Sequence, residues 1–409
     1  MCPLSICGVW EKEFSKFADF DYELSVLKGS TVKKSEQLQK MQGTKLKVTV
    51  VNYDSVWRLE KEIAKWNPDF IIADESHRIK TPNIATSKAM HRLGYKTKYR
   101  MILTGTIITN KAIDVFSQYK FVAPSIFGNS FYAFRNKYFD MVGYGNHVPV
   151  LKKSMEPELK EKIHSIAFRA IKAECLDLPE TTDMVRYIEL EPNAKNVYRH
   201  LVRDSFAELS KGEVTATNIL TKILRLSQLT GGFLGDDEGK KVHQISKAKL
   251  AALEDIVDEM ASSGKKLVVI ARFIPEIEAI TDLLSKKKLK FSVITGNVKN
   301  RSEQIEQFQN DPKVSVFIGQ VATAGLGITL TAASTMVFYS MDYSMSNFEQ
   351  TKARIHRSGQ QKNCTYIYLI AKGTVDEKVL ITLQNKANLA KNLIDEYKCG
   401  LNPYEIGGI

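Results

Sequence analysis

The stretch "FIIADESHRIK", residues 70–80, decides the fold. Phe70-Ile71-Ile72-Ala73 runs without polar interruption into two adjacent acids, Asp74 and Glu75. An apolar run of this length reads as a strand buried on both faces. Two carboxylates at its end repel each other unless something positive lies beside them. A magnesium ion on a phosphate satisfies them, and so does the water around an ordinary loop start.

The same texture recurs on either side. Short apolar strands are expected at 23–27, 46–51, 70–73 and 100–103, and again at 266–270, 291–294, 314–318, 336–339 and 366–370. Amphipathic stretches such as 274–287 and 301–309 separate them and predict helices. Buried runs joined by helical crossovers predict an α/β protein with parallel sheets. From 110 to 244 the pattern is mostly helical, aromatic and basic, and the turn-rich "GGFLGDDEGKK" closes it.

A length of 409 residues predicts two or three domains. No run of eighteen apolar residues appears, and "MCPLSICGVWEKEF" lacks the form of a secretory signal. Five scattered cysteines fit a reducing compartment, so a cytoplasmic, non-secreted protein is expected. The net charge of +12 fits either a well-solvated surface or a polyanionic partner such as nucleic acid.

Four segments carry the chemistry. In a parallel sheet ligands gather at the carboxyl ends of strands, which is where Asp74 and Glu75 stand. One acid can bind hydrated Mg²⁺ while its neighbour orients an attacking water. "MILTGTIITN" ends a second buried strand in Thr104-Gly105-Thr106, small residues that allow close backbone approach. "VFIGQVATAGLGITLTAAS" leads a third strand into a loop where Gly325 and Gly327 permit unusual backbone angles and amides can face phosphate. In "QTKARIHRSGQ", Gln350, Arg354 and Arg357 recur at spacings that predict one face of a helix. Two guanidinium groups there match phosphate oxygens. Each segment alone also reads as an ordinary turn or solvated face.

Their order is the stronger signal. DESH, LTGT, TAGLGITLT and QxxARxHRxGQ, in that sequence, resemble motifs II, III, V and VI of the Swi/Snf-type DNA translocases among superfamily-two helicase-like ATPases. "CPLS", "VVNYDSV" and "KLVVIARF" look like motifs Ia, Ib and IV, and "LPETTD" and "LRLSQLTGGFL" also look like family sequence. The resemblance covers nearly the whole chain. It implies two RecA-like lobes, at 1–109 and 245–409. An inter-lobe helical region would fill 110–244, with a segment near 180–191 returning to the first lobe.

The resemblance also implies roles. Asp74 would position Mg²⁺ and Glu75 would activate water for ATP hydrolysis. His77 and Thr104-Gly105-Thr106 would couple hydrolysis to movement, with Gly325, Gly327 and Gln350 beside the nucleotide. Arg354 and Arg357 would act as arginine fingers. Pro3, Ser5, Asn52, Tyr53, Arg272, Phe273, Thr323 and Ala324 would lie along duplex DNA, held by its backbone with weak sequence preference. A nucleoid location in a bacterial or virus-infected cell follows.

One family element is missing from these residues. A P-loop, GxxxxGK[ST], should precede motif Ia, and neither "GDDEGKKV" nor "SSGKKLV" has its form. The first lobe is therefore expected to be incomplete at its N-terminus, with uncovered strand faces. Met1 is expected to be an internal methionine of a longer sequence, or a start made by truncation or gene splitting, and an upstream P-loop-bearing fragment is an expected partner. The alternative is a DNA- or partner-binding module without turnover, and an RNA helicase is a third reading.

Overall fold

A computed structural model describes residues 1–390 except 42–44, 106, 109–110, 144, 146–147, 171–174, 211–215, 236–240, 297, 299 and 322–326. The chain divides into two units, Met1–Arg169 and Ala170–Asn385, with 386–390 grouped with the first.

In the first unit β1 (Tyr22–Val26) pairs in parallel with β2 (Leu46–Val50), and β3 (Phe70–Asp74) with β4 (Tyr99–Leu103). Parallel neighbours need crossovers, and the helices Thr31–Lys40, Glu60–Trp66 and Ala85–Lys96 supply them. Ser30 starts the first of these by accepting the Lys33 amide. Asn67, left-handed at φ 53°, ends the second. Met1 and Cys2 lie between the strand pairs. The Cys2 amide donates to Val51 O at 3.0 Å, Met1 N to Ile72 O at 2.8 Å and the Asp74 amide to Met1 O at 2.8 Å.

Leu59, Ile63, Ile71, Ala73, Met90, Leu93 and Phe121 form the core against this sheet. The other face differs from the expectation of strands buried on both sides. Phe70, Tyr99, Met101 and Leu103 are exposed, because among the described residues no element covers that face of β3 and β4.

The aromatic region after β4 builds a core of its own. Phe116 and Tyr119 from Val115–Val122, Phe134 and Tyr138 from Phe131–Tyr138, and Leu159 and Ile163 from Glu156–His164 pack together beside the antiparallel pair β5 (Phe139–Val142) and β6 (Val148–Leu151).

The second unit is built on a parallel sheet of six strands. β7 (Thr181–Ile188) comes first in the chain, followed by the short antiparallel pair β8 (Phe233–Gly235) and β9 (Val242–Gln244). Then come β10 (Leu267–Ala271), β11 (Lys290–Ile294), β12 (Val314–Gln320), β13 (Thr335–Phe338) and β14 (Cys364–Ala371). The spatial order is β11-β12-β10-β13-β14-β7. β10 is buried at all five positions, as a strand covered on both faces must be.

The segment expected to return to the first lobe instead forms the edge of this sheet. β7 pairs with β14 from Thr181 opposite Cys364 to Ile188 opposite Ala371, and that continuous ladder fixes it in the second unit. The region 110–244 is thus split between the two units.

A buried carboxylate joins the strand ends of this sheet. Glu276, in the first turn of the helix Ile274–Lys286, accepts the Arg272 and Phe273 amides at 3.1 Å and the Ser340 hydroxyl at 2.5 Å. Its Oε1 has no hydrogen-bond partner, and a Cβ on Gly231 would lie 1.9 Å from it, so only glycine fits there. Burial pushes the Glu276 carboxyl up to about 7, against smaller opposing effects from Ser340, Phe273, Lys249 and Arg272.

Two outcomes are expected. Gly94→Ala sets a Cβ 2.8 Å from the Phe121 ring, and this overpacking costs the first unit about 1–2 kcal/mol in urea unfolding. Because the folded Glu276 carboxyl titrates near 7 and the unfolded one near 4.5, folding takes up a proton between those values. Stability of the second unit is then greatest below that window and falls as pH rises through it. Glu276→Gln flattens the slope, measured as urea midpoints across the same range.

Candidate functional site

The register of β3 on β4 sets Asp74 opposite Leu103, so DESH and LTGT leave the sheet side by side. Glu75 adopts a left-handed backbone, φ 52° and ψ 52°, unusual for a non-glycine residue. The turn Ser76–Ile79 follows. Ser76 and Gln118 are fully buried, and the Ser76 hydroxyl donates to Gln118 Oε1 at 2.7 Å. Gln118 Nε2 donates onward to Ile107 O at 2.8 Å and Asp114 O at 3.0 Å. One amide side chain therefore ties the DESH turn to the loop after LTGT.

Gln118 was not singled out from the sequence. Its signal was a polar residue inside the apolar helix "VFSQYKFV", which a buried helix keeps only where its amide is bonded.

Charge at the strand end is concentrated. Burial first, and then the Glu75 charge, raises the Asp74 carboxyl above its ordinary value. His77 Nδ1 lies 3.2 Å from Glu75 Oε2, at ion-pair distance but outside hydrogen-bond alignment. A divalent cation beside these carboxylates would relieve the repulsion, and oxygen donors suit Mg²⁺. Among the described residues no group of three or more His, Cys, Asp or Glu side chains could hold a metal, so the remaining oxygens would come from water and phosphate.

The candidates for the DNA track fall differently. Asn52 and Tyr53, expected along the DNA track, have buried side chains. Asn52 Oδ1 accepts Lys34 Nζ and Ser55 Oγ, each at 2.8 Å, and the Tyr53 hydroxyl donates to Asp74 O at 2.7 Å. Their side chains brace the strand ends from inside. Pro3 is also buried, and its carbonyl accepts the Ile6 amide at 3.1 Å. The side chain of Ser5 lies outside the described residues, as do Thr106, Thr323, Ala324 and Gly325. Thr104 is half-buried and Gly105 exposed.

In the second unit Arg272 and Phe273 follow β10, half-buried, with the guanidinium 5.0 Å from the Phe273 ring centre. The Arg272 amide donates to Ser340 Oγ at 2.8 Å, and its carbonyl accepts Gln320 Nε2 at 3.3 Å. Three strand ends, those of β10, β12 and β13, are joined at this point. Gly327 takes φ 65°, as its loop requires.

Gln350, Arg354 and Arg357 do not share one helical face. The helix Met345–Lys352 ends before the arginines, and the chain continues in turns. The reason is tertiary. Ile355 is fully buried, the Leu330 amide claims Arg354 O at 2.9 Å, and Gln360 Nε2 bonds the carbonyls of Ile355, Thr331 and Ala333. Arg357 Nη1 donates to Ile328 O at 3.3 Å, so the arginine segment rests on the loop after β12. Gln350 Nε2 donates to Ser346 Oγ at 3.3 Å.

The chain is similar to known proteins over most of its length. The SNF2-related domain matches residues 1–231, and the helicase conserved C-terminal domain matches residues 248–359. An uncharacterized ATP-dependent helicase of Mycoplasma genitalium is 26% identical over 400 residues, which cover 96% of this chain and 37% of the relative. A RAD54-like DNA repair and recombination protein of Drosophila persimilis is 26% identical over 437 residues, covering 96% and 55%. The SWI2/SNF2 ATPase core of Sulfolobus solfataricus, solved with double-stranded DNA, is 27% identical and covers 96% of this chain and 81% of its own, with a TM-score of 0.44. The chain thus spans 37% of the first curated relative and 55% of the second. With its first 231 residues matched to the SNF2-related domain and the helicase domain following in order, the chain belongs to the SNF2-related family of helicase-like ATPases.

Proposed function

We propose that this chain is the motor part of an ATP-dependent translocase on duplex DNA. The observation that carries the reading is the Asp74-Glu75 pair at a strand end, in register with Leu103 and tied through Gln118 to the loop after LTGT. Carboxylates there are suited to a nucleotide's magnesium and to a water that attacks the terminal phosphate. In this reading Asp74 holds the Mg²⁺ of the ATP substrate and Glu75 orients the water. His77 and Thr104-Gly105-Thr106 transmit the change, and Gly325, Gly327 and Gln350 are assigned to ATP binding or coupling as well. Arg354 and Arg357 stabilise charge on the transferring phosphoryl group. Arg272, Phe273, Ser5, Thr323 and Ala324 remain candidates for the DNA track.

The duplex partner is inferred from the family, from the DNA-bound archaeal core and from a net charge of +12. A grip on phosphates rather than bases gives steep salt dependence and little sequence preference. A nucleoid location is part of the same proposal. Among the described residues no helix is long and apolar enough to cross a membrane.

One observation favours a second reading. No GxxxxGK[ST] run occurs in these 409 residues, and a DNA- or partner-binding module without turnover is the alternative to be tested. DNA-stimulated phosphate release by the chain supplied with an upstream P-loop-bearing segment separates the two. Under the first reading Glu75→Gln lowers it by about 100-fold or more. Under the second the chain gives none even with that segment supplied, while duplex binding persists. Arg357→Ala is expected to cut kcat by about 1000-fold while the KM for ATP changes little, since a finger acts mainly on transition-state charge. An equal loss in both parameters removes that role from Arg357.

A further inference from the structure

The arginine-bearing segment is gripped from two sides. On one side stand the contacts to the loop after β12, through Ile328 and Leu330. On the other stands the segment leading into β7. Lys352 Nζ donates to both oxygens of Asp183, at 2.7 and 3.1 Å. The Tyr368 hydroxyl donates to the same carboxylate at 2.5 Å. Four residues after Lys352, His356 Nε2 donates to Pro179 O at 2.9 Å. Lys352 and His356 flank Arg354 in sequence, so two tethers to 179–183 bracket the first arginine.

The Lys352–Asp183 pair is more than two exposed charges meeting. The Lys352 ammonium lies 4.4 Å from the Tyr366 ring centre and 5.5 Å from that of Phe348, and only 18% of its side chain is exposed. The Tyr366 hydroxyl donates to Lys352 O at 3.0 Å, fixing the backbone of the same residue. Rings on either side restrict the lysine, and Tyr368 restricts the carboxylate. Little side-chain freedom remains to be lost when the pair forms, which is the usual cost of a surface ion pair. Lys352 is also the last residue of its helix, so its anchor sets where the turn carrying Arg354 and Arg357 begins.

We propose that Asp183 is a positioning residue: through Lys352 it holds the arginine-bearing segment 352–357 to the edge strand β7. The proposal rests on the reading that Arg354 and Arg357 serve the nucleotide. Asp183 itself touches no reacting atom. β7 has the second unit's sheet on one side only, and Asp183 ties the orientation of the arginines to that edge strand.

The test is hydrogen–deuterium exchange on the full chain. Asp183→Asn keeps an acceptor for Tyr368 but removes the charge. It is expected to raise exchange at 350–358 about five-fold, while β10 and the helix Ala248–Ser262 stay as protected as before. Asp183→Glu restores protection, and Lys352→Met combined with Asp183→Asn is no worse than either alone. Unchanged exchange at 350–358 overturns the proposal, and so does an increase spread evenly over the second unit. This readout does not depend on hydrolysis. Where the chain releases phosphate, Asp183→Asn lowers kcat about ten-fold at nearly constant KM, and Asp183→Glu recovers it. A matched loss in kcat and KM also overturns the proposal. If no phosphate is released even with a P-loop-bearing segment supplied, the translocase reading falls while the exchange result still decides the role of Asp183.

Discussion

The hydrogen bonds that the buried Gln118 side chain makes to Ser76, Ile107 and Asp114 hold the candidate catalytic loops in one arrangement. A parallel strand pair brings its carboxyl ends together but leaves the loops beyond them free to diverge. Gln118 removes that freedom. Its amide bonds one loop through oxygen and the other through nitrogen, and the Gln118 and Ser76 side chains are themselves fully buried polar groups that need partners. Glu75 depends on this. Its left-handed backbone persists where the residues around it are fixed, and Tyr53 and Met1 fix Asp74 from the other side.

The second unit solves a related problem with a carboxylate. The ends of β10, β12 and β13 converge where Glu276, Ser340, Gln320 and Arg272 share hydrogen bonds. Burying Glu276 favours its protonated form, and a proton on it is compatible with Ser340 and the amides beside it. Glycine at 231 is what allows the carboxyl to sit there. Position by position, the polar groups that matter here are not those facing solvent but those that align backbone behind the loops.

This division explains what could be read in advance. The strands expected at 70–73, 100–103 and 314–318 were found as Phe70–Asp74, Tyr99–Leu103 and Val314–Gln320, because continuous apolar runs have few other places to go. β7 was not legible as a strand. "TTDMVRYI" alternates weakly, is mostly exposed, and owes its form to the ladder with β14. The burial of the Asn52 and Tyr53 side chains was not legible, since local spacing cannot report which way a strand end turns. The arginine segment looked helical because a spacing of three and four suits a helix. Ile355, Leu330 and Gln360 overrode it with contacts distant in sequence.

By itself the sequence determined the alternating α/β texture, the order of the chemical segments and the family those segments resemble. Local hydrophobic pattern and residue identity carry all three. Only the tertiary structure decided that Phe70 and Leu103 face outward, that β7 closes the second sheet, and that Gln118, Glu276 and Asp183 stand behind the motifs. Each depends on partners tens or hundreds of residues away. A polar residue's role is set by which buried donor or acceptor it meets, and chain folding alone brings the two together.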